Sequence, residues 1–144
     1  MILPKPLIFF FLLLAVLAFP VAWSEAAGFA VVVNKGNPVH SMESSDVKKI
    51  FLGKKIFWPT GEGIDVFLQA DGDTHRSFVL EILHKSPRQL SMYWKQELFS
   101  GTGSPPKEFP DSQSVKNAVA ENPKAIGYID ASQLDDSVRG VRVE

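Results

Sequence analysis

Apolar runs of strand length alternate with segments of helical periodicity from residue 29 to residue 143. Residues 29–33 are apolar, three of them are β-branched, and the turn formers Asn34, Gly36 and Pro38 follow, so this run predicts a buried strand. Further strands are predicted at residues 64–68, 125–129 and 138–143. Apolar residues at helical spacing predict helices that begin near residues 44, 73, 87 and 112. This alternation is typical of an α/β domain with a mainly parallel sheet flanked by helices.

Residues at the ends of these segments predict where the helices start and stop. Ser44 or Ser45 is a preferred N-cap, and Gly53 is placed to end the same helix in the left-handed conformation. Serine followed by proline at 86–87 predicts another helix start. Glycine and proline are frequent in residues 101–110, which therefore predict a loop.

The first 26 residues have the features of a signal peptide. Lys5 gives a positive start, residues 7–19 are apolar, and Ser24 and Ala26 are small residues at the positions that a signal peptidase reads. The apolar run is shorter than the roughly 20 residues that a membrane-spanning helix needs. We therefore expect a signal peptide at 1–26 and a single domain at 27–144. An uncleaved anchor is the alternative, and in either case the domain is exported.

Composition narrows the choice of compartment and partner. The formal net charge is −1, whereas nucleic-acid-binding domains usually carry a strong basic excess. The chain has no cysteine, which rules out disulfides, thiolate nucleophiles and cysteine metal sites. A bacterial periplasm fits these features, and neither a cofactor nor a nucleic-acid partner is expected.

Four stretches resemble, in their order and spacing, the second lobe of the phosphate-type periplasmic solute-binding proteins. They read VVVNKGNP at 31–38, IFLGKKIFWP at 50–59, DGDTHRSF at 71–78 and AIGY at 125–128. The resemblance covers about residues 29–130 and implies one lobe of the type II periplasmic-binding-protein fold. Proteins of that family close two lobes over an anion, and this chain resembles one of the two. The resemblance therefore implies a single-lobe phosphate-binding or oxyanion-binding protein related to ABC transporter substrate-binding proteins, not an enzyme.

The sequence also predicts where an anion would bind. Ligands of open α/β sheets lie beyond the carboxyl ends of strands, and residues 34–37, 69–74 and 130–132 are predicted there. A helix beginning near Thr74 offers backbone N–H groups and a partial positive charge to an anion. Thr74 adds a hydroxyl donor and Arg76 a planar pair of donors, while Asn34 and Lys35 belong to the first of these loops.

The family's anion loop typically reads Ser-Gly-Thr, and Gly72, Asp73 and Thr74 align with it. Only the threonine is retained. Asp73 has two interpretations that the sequence leaves open. As a strong helix N-cap it would occupy the N–H groups that an anion needs. As a carboxylate, it or Asp71 would accept the proton of bound phosphate and so select phosphate over sulfate.

These observations support three hypotheses of function. The first is an oxyanion-binding protein, with a homodimer as one way to complete its site. The second is a periplasmic interaction or sensor-accessory module that has lost ligand binding and contacts a membrane permease or receptor. The third is a small phosphohydrolase with metal ligands among Asp71, Asp73, His75 and either His40 or His84, although their spacing matches no familiar metal motif.

Overall fold

The computed structural model describes residues 28–144, so the signal peptide predicted at 1–26 lies outside the described part of the chain. Six strands, four helices and one 3₁₀ turn make up this part. In chain order they are β1 (Phe29–Asn34), β2 (Ser41–Met42), α1 (Ser44–Phe51), β3 (Asp65–Gln69), α2 (Asp73–Glu81), α3 (Pro87–Phe99), β4 (Lys107–Phe109), α4 (Ser112–Glu121), β5 (Ala125–Asp130), the 3₁₀ turn (Ala131–Gln133) and β6 (Val138–Val143).

The strands form one mostly parallel sheet in the order β2-β6-β1-β5-β3-β4. Strands β3 and β5 are parallel, as are β3 with β4 and β2 with β6. Strand β1 is antiparallel to both of its neighbours, β5 and β6. Five strands therefore run one way and the central β1 runs the other, which confirms the predicted α/β class.

Alternate residues of β1 belong to different cores, as the period of two along a strand requires. Val31 and Val33 pack with the first three helices, in a core that contains Phe51 and Phe78. Val32 points to the opposite face and packs with Val115 and other residues of α4. The domain therefore has three layers, with α1, α2 and α3 on one face of the sheet and α4 on the other.

The predicted helix ends were right in two places and wrong in one. Gly53 has a φ of +74° just after α1, as expected for a left-handed helix end. Ser86 caps α3 by accepting from the backbone N–H of Gln89 at 3.1 Å, and the Gln89 side chain accepts from the N–H of Ser86. The N-cap of α1, however, is Glu43 without a side-chain bond, because Ser44 already lies in the helix.

Two short edge strands were not predicted. Strand β4 lies within the loop expected at 101–110, and it pairs with β3 from Lys107 to Phe109. Strand β2 pairs with β6 through only two residues. Between residues 28 and 144, no helix combines the length and the apolar character needed to cross a membrane.

Candidate functional site

The carboxyl ends of β3 and β5 meet at one edge of the sheet. These two parallel neighbours end at Gln69 and Asp130, and α2 begins four residues after β3 ends. Ser112, the first residue of α4, reaches the same edge, where its Oγ accepts from the backbone N–H of Asp130 at 2.8 Å. Three elements thus bring polar side chains to the position where ligands of α/β sheets bind.

A buried hydrogen-bond network fixes this edge. The Gln69 side chain donates to Ser112 Oγ and to the Tyr128 carbonyl, both at 3.0 Å. The Tyr128 hydroxyl accepts from the backbone N–H of Gln69 at 2.9 Å and contacts His75 Nδ1 at 2.5 Å. Because these side chains are buried and bonded to one another, the network holds α2, α4 and the two strands in a defined arrangement.

The protonation state of His75 follows from this network. Burial lowers the pKa of His75, and the Asp71 carboxylate opposes that effect only in part, so the neutral imidazole is favoured. Burial also raises the pKa of Tyr128, which therefore keeps its proton. Among residues 28–144 the Tyr128 O–H has no other acceptor, so it donates to His75 Nδ1. The remaining hydrogen of His75 is then on Nε2, which is a donor.

The amino terminus of α2 has no side-chain cap. Its N-cap residue is Gly72, with a φ of +105°, and the first intrahelical bond runs from the Arg76 N–H to the Gly72 carbonyl at 3.0 Å. Within residues 28–144, the backbone N–H groups of Asp73, Thr74 and His75 have no hydrogen-bond acceptor. Together with the helix dipole, three such groups favour an anion at this position.

The prediction that Asp73 caps α2 is wrong. Its carboxylate turns away from the helix end and accepts from Arg76 Nη1 at 2.9 Å. Asp73 is the first residue of the helix rather than its N-cap, so its carboxylate is not placed to accept from the N–H groups of the first turn. Its side chain is 95% exposed and that of Arg76 is 61% exposed, so the pair lies in solvent.

The structure brings together four of the six predicted site residues. Gly72, Asp73, Thr74 and Arg76 all lie in the loop before α2 or in its first turn. Thr74 is half-buried there, and its own backbone N–H is one of the three without an acceptor.

Asn34 and Lys35 lie at the opposite edge of the sheet, so the expectation that they would join this loop is wrong. Because β1 is antiparallel to β5, Phe29 lies opposite Asp130 and Val33 opposite Ile126. The end of β1, one residue past Val33, is therefore about 17 Å from Asp130 along the strands. There the Asn34 side chain donates to the carbonyls of Val119 and Ala120, at 2.9 and 3.0 Å, and so caps the end of α4.

The residues of the phosphohydrolase hypothesis are dispersed. In the part of the chain that the structure describes, no three histidine, aspartate or glutamate side chains lie close enough to hold a metal ion. His75 is bonded to Tyr128, and His40 contacts Arg139 Nη1 at 2.9 Å on another surface. This hypothesis therefore has no metal centre in residues 28–144.

Three residues of the network, Gln69, Ser112 and Tyr128, were not singled out as site residues from the sequence. Gln69 and Tyr128 are 59 positions apart, and no local pattern reveals that they meet. One feature of the sequence could have identified Gln69 as a site residue. A polar residue that ends an apolar strand directly before a predicted ligand loop indicates a positioning role.

The fold matches known structures of phosphate-binding proteins. A protein assigned as a phosphate ABC transporter substrate-binding protein from Clostridium perfringens, solved with bound phosphate, aligns with 81% of this chain at 29% identity and a TM-score of 0.64. An ABC-type phosphate transport receptor from Vibrio cholerae aligns with 81% of the chain at 20% identity and a TM-score of 0.63. PstS from Borrelia burgdorferi aligns with 82% at 12% identity and a TM-score of 0.61.

This chain spans less than half the length of the proteins that it matches, since 45%, 46% and 47% of their chains are covered. The match therefore corresponds to one lobe of phosphate ABC transporter substrate-binding proteins, and it confirms the resemblance found in the sequence. No family model matches the chain.

Proposed function

We propose that this chain is an exported phosphate-binding protein whose single lobe binds inorganic phosphate at the amino terminus of α2. One observation carries the proposal. In a lobe that matches phosphate-binding proteins, the N–H groups of Asp73, Thr74 and His75 have no acceptor among the described residues. These groups point along the helix axis toward the carboxyl edge of the sheet, where α/β domains bind ligands.

Side chains of the first turn supply the rest of the half-site. The Thr74 hydroxyl donates one further hydrogen bond, and Arg76 supplies positive charge. Arg76 is already paired with Asp73, so these two side chains together offer an anion almost no net charge. Most of the affinity therefore comes from the backbone N–H groups and the helix dipole.

Asp73 then determines which anion is bound. Asp73 belongs to the same first turn, and its carboxylate occupies none of the N–H groups. Toward a bound anion, that carboxylate repels a fully ionised species and accepts a hydrogen bond from a protonated one. Phosphate carries such a proton near neutral pH, whereas sulfate does not. We therefore propose that Asp73 favours phosphate over sulfate.

The proposed protein acts outside the cytoplasm and without catalysis. The predicted signal peptide directs it to the periplasm. There, a half-site made by one lobe exposes its ligand on the other side. A second copy of this chain, or the membrane permease or receptor that it serves, would complete the donor shell.

Calorimetric titration with phosphate and with sulfate, at one ionic strength, tests the proposal. Thr74→Val removes the hydroxyl at nearly constant volume and should weaken phosphate binding about tenfold, the usual cost of a hydrogen bond to a charged group. Thr60→Val, in an exposed loop, is the matched control and should leave binding unchanged. Asp73→Asn should reduce the preference for phosphate over sulfate. Absence of saturable phosphate binding by the wild type would exclude this function.

The interaction module is a second candidate, and the end of α3 favours it. Phe99 is 97% exposed and its neighbour Leu98 is 58% exposed, which is unusual for side chains of this size. An aromatic anchor of this kind is typical of protein interfaces. If phosphate does not bind, and if Phe99→Ser abolishes association with the membrane fraction while Phe57→Ser does not, this second function is supported.

A further inference from the structure

A cleft of about 390 Å³ lies between α3 and the β3–β4 edge of the sheet. It is bounded by His75 at the start of α2, by one face of α3, and by Glu108 on β4. Its volume is at the small end of the range for ligand pockets, roughly 300 to 1,000 Å³, so it suits a small metabolite better than a nucleotide or a peptide.

One face of α3 forms the wall of this cleft. Pro87, Ser91, Trp94, Lys95 and Leu98 line it, at spacings of three and four residues that place them on one side of a helix. Trp94 and Leu98 give this wall an apolar surface, to which Leu90 adds a further apolar side chain. Lys95 places an ammonium group beside that surface.

The opposite wall carries a negative charge. On β4, Lys107 packs over the Phe109 ring, so these two residues share one face of the strand. Glu108 points to the other face, as does its partner on β3, Leu68, and both line the cleft. The Glu108 carboxylate is close enough to Tyr128 to contribute to its raised pKa, which places this carboxylate on the His75 side.

The charges of this cleft are not used by the fold. Lys95 and Glu108 form no ion pair with each other or with any other residue between 28 and 144. His75 lines the cleft, and its Nε2 has no hydrogen-bond partner among these residues, while Nδ1 is held by Tyr128. The cleft therefore presents two donors, one carboxylate and an apolar wall.

We propose that this cleft binds a free α-amino acid with an apolar side chain. The ligand carboxylate pairs with Lys95 and accepts from His75 Nε2, and the ligand ammonium pairs with Glu108. The apolar side chain packs against Leu90, Trp94 and Leu98. A zwitterion is the ligand class that satisfies two separated and opposite charges at once, whereas an anion alone would leave Glu108 unpaired and facing it.

This inference does not rest on the phosphate site, and the two are tested separately. Titration calorimetry with L-leucine and with L-phenylalanine should show saturable binding by the wild-type protein. N-acetyl-L-leucine lacks the ammonium and L-leucinamide lacks the carboxylate, so each should bind about tenfold more weakly than L-leucine, the usual effect of losing one charge-assisted hydrogen bond.

Charge-neutralising variants locate the binding. Lys95→Gln and Glu108→Gln should each weaken L-leucine binding about tenfold, and Glu108→Gln should abolish the preference for L-leucine over its N-acetyl form. Lys49→Gln and Glu121→Gln change exposed residues outside the cleft and should bind L-leucine as the wild type does. Circular dichroism checks that each variant is folded. Failure of both amino acids to bind, or binding that neither cleft variant weakens, would overturn the proposal.

Discussion

Gly127 lies on β5 where this strand packs against α4, and its replacement by alanine tests that packing. A Cβ at this position would lie 2.6 Å from Val115 Cγ1 and 3.4 Å from Val119 Cγ2. Carbon atoms pack best at about 3.5 to 4.0 Å, so roughly 1 Å of space is missing. Val115 is fully buried and, as a β-branched residue in a helix, has one preferred rotamer, so it cannot turn away.

The expected cost is therefore that of an overpacked core, about 1 to 3 kcal/mol of the free energy of unfolding. The stiffer unfolded chain of the alanine variant offsets about 0.4 to 1 kcal/mol of this. We expect Gly127→Ala to lower the free energy of unfolding by about 1 kcal/mol in urea denaturation followed by circular dichroism.

A second substitution and a control separate this clash from other effects. Val115→Ala removes the methyl group that the new Cβ meets. The double variant should therefore be about 1 kcal/mol more stable than the sum of the two single effects predicts. Gly140→Ala on β6 is the control, because its Cβ would meet only the two terminal methyl groups of the partly exposed Leu134, at 3.1 and 3.7 Å. An unchanged midpoint for Gly127→Ala, or strict additivity with Val115→Ala, would refute the close approach of β5 and α4.

Further predictions follow from the structure and, for the amino terminus, from the sequence. The pKa of His75 is lower in the folded state than in the unfolded state. As the pH falls below about 6.5, the His75 imidazole is therefore protonated in the unfolded chain before it is protonated in the folded chain. The free energy of unfolding should therefore decrease from there down to the folded-state pKa and then level off, and His75→Gln should remove this slope in denaturation series across pH. Gly53→Ala should cost about 2 kcal/mol by urea denaturation, because φ is +74° and the new Cβ would lie 3.0 Å from Trp94, while Phe51→Ala should cost about 3 to 5 kcal/mol as a fully buried ring. Mass spectrometry of the periplasmic fraction should find a chain that has lost residues 1–26, and an intact amino terminus in the membrane fraction would contradict this.

Local features of this chain were predictable from sequence because local rules determine them. Ser86 followed by Pro87 caps α3 as expected, since a capping box involves residues only three positions apart. Gly53 adopts a positive φ for a similarly local reason. The strand and helix pattern follows from burial of one face of each element, which the spacing of apolar residues records.

Features that depend on distant contacts were not predictable. The direction of β1 is set by pairing with β5 and β6, about a hundred residues later in the chain, and this direction moved Asn34 and Lys35 away from the site. The Asp73 carboxylate pairs with Arg76 instead of capping α2, because a residue inside the first turn cannot reach the N–H groups that an N-cap satisfies. Strand β4 was missed because it has three residues and exists only through its pairing with β3.

The central claim is that phosphate binds at the amino terminus of α2, and backbone amide NMR during a phosphate titration tests it most directly. We expect saturable shifts that are largest at the N–H groups of Asp73, Thr74 and His75, with small changes at Asn34 and Lys35 on the opposite edge of the sheet. Sulfate at the same ionic strength should produce weaker shifts at the same amides. Absence of saturable shifts, or shifts centred outside the first turn of α2, would contradict the account.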